Sequence, residues 1–115
     1  MNTPRIRLSP LQVRERAACM CDHGDVCSSY APGHALHLIQ ARLAAATPIG
    51  WADALVTDVD LAEGTIHAIT LDGTEVALWN AGGAALEVAP GQPIAVHTQW
   101  DVLAIGSLRY NVARA

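Results

Sequence analysis

Gly64-Thr65-Ile66-His67-Ala68-Ile69-Thr70-Leu71-Asp72-Gly73-Thr74-Glu75-Val76 reads as two short strands folded about a tight turn. Thr65 to Leu71 and Thr74 to Asn80 supply the strands, with the Ile, Val and Thr that suit a pleated, half-buried surface. Val76 and Leu78 alternate against Glu75 and Ala77, the two-residue period of a strand with one buried face. Asp72-Gly73 is a two-residue hairpin signal of type I′, because Asp and Gly both tolerate positive φ.

The same pattern extends downstream and upstream of this hairpin. Ala52 to Leu61, Ile94 to Gln99, Asp101 to Ile105 and Leu108 to Ala113 are further candidate strands. Glu63-Gly64 is expected to close a hairpin with a bulge, and Gly106-Ser107 fits a type II′ turn. Leu108, Tyr110 and Val112 alternate against Arg109, Asn111 and Ala113. The link from Ala81 to Pro93, with Gly82-Gly83 and Pro90-Gly91, must cross between hairpin groups. Six short strands in about 65 residues predict a small closed or nearly closed antiparallel barrel. The 64–76 stretch resembles the meander of SH3-like barrels, a likeness of fold that carries no activity with it.

Before Trp51 the signals change to helix and loop. Ser9-Pro10 is a helix start, a capping hydroxyl followed by a residue pre-set for the first turn, and a short helix from Leu11 to about Ala18 is expected. Pro32-Gly33 leads into a stronger helix over about His34 to Ala46, ended by Pro48 and Gly50. Leu36, Ile39 and Leu43 form one apolar row, Leu38, Ala41 and Ala45 another, and His34, His37 and Gln40 a narrow polar edge. The expectation is that Leu36, Ile39 and Leu43 bury against barrel residues such as Leu55, Val59 or Val112, worth on the order of 5–8 kcal/mol before entropy is subtracted. The fold class is therefore α+β, mainly β: one domain over 1–115, with a helix and Cys/His loop in 1–50 and a small SH3-like barrel in 51–115.

Composition narrows the functional classes. Seven Arg, no Lys and eleven acidic residues leave a net charge of −4, which argues against a nucleic-acid footprint. Arg as the only cation, with abundant Ala, suggests codon bias in a GC-rich bacterial genome. With 51% apolar and 16% charged residues the chain has the composition of a folded domain. No apolar run approaches a membrane span, and Met1-Asn2-Thr3-Pro4-Arg5-Ile6 has no signal-peptide core, so a cytoplasmic setting is expected.

One constellation has the residue types of a metal site. Cys19-x-Cys21-x-His23-x3-Cys27 packs three thiols and an imidazole into nine residues, a ligand set that zinc accepts. Against this, Cys-x-Cys is tighter than the usual zinc knuckle and there is no second knuckle. A strained disulfide or a resolving Cys27 is a redox alternative, and three ordinary half-buried thiols are the plain one. Among other candidates, His34 and His37 fall three apart on one helix edge. His97, Trp100 and Asp101 sit at a hairpin tip, where a ring, an imidazole and a carboxylate can line a small-molecule pocket. Asp53, Asp58 and Asp60 read as a solvated strand face. Gly82-Gly83 lacks the spacing of a phosphate loop. Trp79 shares a face with Glu75 and Ala77, so an outward Trp79 would mark an interface.

No catalytic signature emerges. The expected function is a small intracellular binding or assembly module, with a homodimer formed through a spare edge strand as one form of partner. A zinc-type structural or sensor protein and a small enzyme with a pocket at His97 are the alternatives.

Overall fold

The computed structural model describes residues 29–115. The helix expected from Leu11 and the Cys19, Cys21, His23 and Cys27 loop lie outside the described residues. Helix α1 (Leu38–Ala45) and a 3-10 turn (Pro48–Gly50) lead into seven strands. These are β1 (Trp51–Asp60), β2 (Thr65–Thr70), β3 (Glu75–Trp79), β4 (Pro93–His97), β5 (Val102–Ile105), β6 (Leu108–Asn111) and β7 (Ala113–Arg114). All pairs are antiparallel, in the order β6-β5-β4-β1-β2-β3-β7. Only Val112 separates β6 from β7, so one terminal segment pairs with β5 at one edge of the sheet and with β3 at the other. That segment curls the sheet into a nearly closed barrel.

The interior follows from alternation. Val56, Ile66, Leu78, Leu103 and Val112 are all 2% exposed or less and belong to one buried cluster. The register shifts between Val56 and Asp58, placing a bulge at Thr57. Without that extra residue a strict two-residue period would turn Asp58 inward and Val59 outward. With it, Val59 faces Ile66 across the strands and packs on the core. In the link between β3 and β4, Ala84 and Ala85 lie in a 3-10 turn (Ala84–Glu87) and are buried in the same cluster.

Two turns show how loop chemistry sets register. Ile105 pairs with Leu108 around Gly106, whose φ is 58°, as a type II′ turn requires. The β2–β3 turn differs from the type I′ expectation. Asp72 does not have positive φ, and Gly73, at 91°, does. The Gly73 amide donates to the Thr70 carbonyl (2.9 Å), and Thr70 and Thr74 flank a three-residue loop. This is a turn completed by one left-handed glycine, and the Thr70 hydroxyl and the Thr74 amide (3.1 Å) both donate to the Asp72 carboxylate.

The largest correction concerns the helix. It begins at Leu38, not His34, and its large apolar side chains point away from the barrel. Leu38 is 61%, Ile39 60% and Leu43 37% exposed, while Leu36 is only half-buried and Leu55 is itself 44% exposed. The sole buried residue of α1 is Ala44. Of the polar edge only Gln40 turns inward, with the small Ala41 and Ala44 beside it. The reason lies on the sheet beneath it.

Candidate functional site

Trp51, His97, Val102 and Asn111 are direct register partners across β1, β4, β5 and β6. Register partners share a face, so these four form one row on the outside of the barrel. Leu103, the neighbour of Val102, points inward. The row is nevertheless covered: His97 is 0%, Val102 1% and Asn111 3% exposed. The segment from Tyr30 to Gly50 lies over it and is held mainly by hydrogen bonds.

Each polar member of the row takes a backbone group of the covering segment. The Trp51 indole N–H donates to the Ala44 carbonyl (3.1 Å). Asn111 Nδ2 donates to the carbonyls of Ala31 and Ala35 (both 3.0 Å), and its Oδ1 accepts from Gln40 Nε2 (3.2 Å). Gln40 Nε2 also donates to the Trp100 carbonyl (2.8 Å). A leucine at position 40 would strand these buried acceptors, and buried polar groups left unpaired are costly. Close approach also needs small side chains, which Ala41 and Ala44 provide. Asn80, 3% exposed, acts likewise further along: its Nδ2 donates to the carbonyls of Gly33 and Asn111, and its Oδ1 accepts the amides of Gly82 and Ala84.

His97 is engaged on every side. Nδ1 accepts the amides of Gln99 (3.3 Å) and Trp100 (3.2 Å), so it carries no proton, and Nε2–H donates to the Thr47 carbonyl (2.8 Å). The Trp51 ring meets the imidazole edge-on at 5.0 Å. Gly50 lies against its other side: a Cβ there would stand 2.2 Å from His97 Cε1. His97 thus serves as the packing centre of its own hairpin tip, with both ring nitrogens used inside the protein. Trp100 and Asp101 diverge from it. Together with Tyr30, Gln40 and Gln99 they line a separate hollow of about 250 Å³. Asp101 adopts positive φ (52°) and takes an ion pair from Arg114 Nε at 3.4 Å.

The other residues singled out in the sequence fall as follows. Trp79 is on the outward face, opposite Thr65 and Ala113, but half-buried, with the His34 ring edge-on at 5.2 Å. His34 and His37 share no helix edge: His34 precedes α1, and His37 caps it, Nδ1 accepting the Ile39 amide (3.0 Å). Asp53, Asp58 and Asp60 are exposed. Among the described residues no group of three or more His, Cys, Asp or Glu can hold a metal, and no helix is long and apolar enough to cross a membrane. Among the described residues two ionisations are displaced, both away from the covered row. Hydrogen bonds from Thr70 and Thr74 hold the Asp72 carboxyl below its ordinary value, and burial, with the Glu87 carboxylate second, raises the Tyr110 phenol.

Gln40, Asn80 and Asn111 are the organising residues that alternation alone did not single out. Asn is depleted in strands, so Asn111 inside an otherwise regular strand is a usable signal for a side chain with a specific partner. No family model, no curated protein and no solved structure matches the chain.

Proposed function

We propose that this chain is a small, non-enzymatic assembly module that pairs with a second copy of itself through the outward face of α1. The observation that carries the reading is the inverted helix: Leu38, Ile39 and Leu43 are exposed, and Ile49 in the following turn is 95% exposed. A run of large aliphatic side chains on one short element is what an interface leaves uncovered in a single chain. Charge favours a second copy at this face. Residues 29–115 carry eight carboxylate side chains against three guanidiniums, yet α1 has no acid and one Arg. Two acidic molecules can meet here without bringing carboxylates together, and the Arg42 stem can lie along the apolar face with its charge at the rim.

The sheet supports this route over an edge-to-edge dimer, because the 108–114 segment occupies both sheet edges. The three-stranded meander β1–β2–β3 and the hairpin series β4–β5–β6 support an SH3-like description of the barrel. A reducing cytoplasm, where three thiols stay free, suits the same reading. Size-exclusion chromatography with light scattering on the full chain tests it. A concentration-dependent dimer that becomes monomeric on Ile39→Glu is expected; a monomer at all concentrations overturns it. The Cys19, Cys21, His23 and Cys27 set supports a second reading as a zinc-type site, for which about one equivalent of metal per chain is the expected elemental analysis.

A further inference from the structure

A cleft of about 400 Å³ separates α1 from the sheet, with Ala41, Ala44 and Ala45 on one wall and Trp51 and Val102 on the other. Arg109 stands at its rim, the guanidinium carbon 5.8 Å from the Trp51 ring centroid. We propose that this cleft binds a small organic carboxylate with a flat apolar body.

Apart from Arg109, the side chains that line the cleft are apolar and held in place. The Trp51 indole is tied to the Ala44 carbonyl, which fixes the gap between helix and sheet, and the alanines leave it unfilled. The cation is held in place and still has donors to offer. Arg109 Nη1 donates to the carbonyls of Gly106 (2.8 Å) and Leu108 (3.0 Å), while Nε and Nη2 make no hydrogen bond among the described residues. A guanidinium presents its N–H groups as a fixed fork that matches a carboxylate. Among the described residues no acid lines the cleft, and the ion pair belongs to Arg114 and Asp101. Arg109 is therefore an unneutralised positive charge beside an indole, on a molecule otherwise rich in carboxylates. The carboxylate goes to the fork and the apolar body to Trp51, Ala41 and Ala45, which keep exposed surface in the cleft. One cation suits a monoanion and disfavours a phosphate, which would bring more charge than the cleft can pair. The size is within the usual range of small-molecule sites.

The test is a titration of the full chain with phenylacetate, followed by ¹H–¹⁵N spectra that resolve the Trp51 indole and Arg109 Nε signals. Saturable shifts at both, with a Kd on the order of 1 mM, are expected for so small a probe. Phenethylamine, of the same shape and opposite charge, is expected to leave them unmoved. Arg109→Gln should weaken phenylacetate about tenfold. Ala45→Leu, at an exposed position, should fill the cleft and abolish the shifts with Arg109 intact. Absence of saturation, equal response to the amine, or undiminished binding by the folded Ala45→Leu variant each overturns the proposal. None of these outcomes depends on the state of the Leu38–Ile39 face.

Discussion

The two sides of the same sheet are held by opposite means. Inside, Ile66, Leu78, Leu103 and Val112 meet as aliphatic side chains whose contribution scales with area removed from water. Outside, Trp51, His97 and Asn111 reach up from the sheet and take named carbonyls of the segment above it. The interior tolerates many aliphatic arrangements of similar volume. The outer seam accepts one, because each donor has its own acceptor. Area holds the barrel together; directional bonds decide where the helix sits. A helix docked through Gln40 and its alanines leaves its leucines free for something else, and that division of labour is what the proposed pairing uses.

The comparison breaks first at the core. Leu103→Ala removes a side chain that is 0% exposed, so a loss of about 2–5 kcal/mol is expected in chemical denaturation, with the whole fold melting earlier. A loss well under 1 kcal/mol would mean that the interior is too loose to be the main source of stability. The seam should give a smaller and more local effect. Asn111→Ala takes one hydrogen bond each from the Ala31 and Ala35 carbonyls and from Gln40, for a cost of about 1–3 kcal/mol. Native-state amide exchange is the decisive readout: protection should fall from Ala35 to Ala46 and persist in β1, β2 and β4. Uniform loss across the sheet would show that barrel and covering segment open as one unit.

This contrast also explains what the sequence revealed. Strand positions and the barrel were legible because a two-residue period and Gly-containing turns are local signals, as at Val76 to Leu78 and at Gly106. The bulge at Thr57 was not, since it follows from keeping Asp58 wet and Val59 dry at the same time. The helix was found but mis-oriented. Periodicity says that Leu36, Ile39 and Leu43 lie together; it does not say that an Asn, an indole and an imidazole elsewhere will claim the Gln40 side. His97 and Asp101 are close in sequence yet have different tasks, because the turn wraps its amides around the imidazole and directs Asp101 to Arg114. For Trp79 the sequence left the direction of its face open; the ring is outward, and the long-range return of residues 33–34 half-covers it.

The smallest expected effect is the sharpest. Ile39→Ala deletes about as many apolar atoms as Leu103→Ala, from a residue of the same class on the outer side of α1. Ile39 is 60% exposed, so at high dilution its loss should change stability by no more than about 0.5 kcal/mol. The better helix propensity of Ala offsets part even of that. Concentration then separates the two meanings of an exposed aliphatic. If the face is idle, Tm of both chains is independent of protein concentration. If it pairs with a second copy, the unsubstituted chain gains Tm as concentration rises, by mass action, and the Ile39→Ala chain gains less. A core-sized loss at high dilution would place Ile39 under cover within a single chain, and the opposition between the greasy inside and the hydrogen-bonded outside would no longer hold.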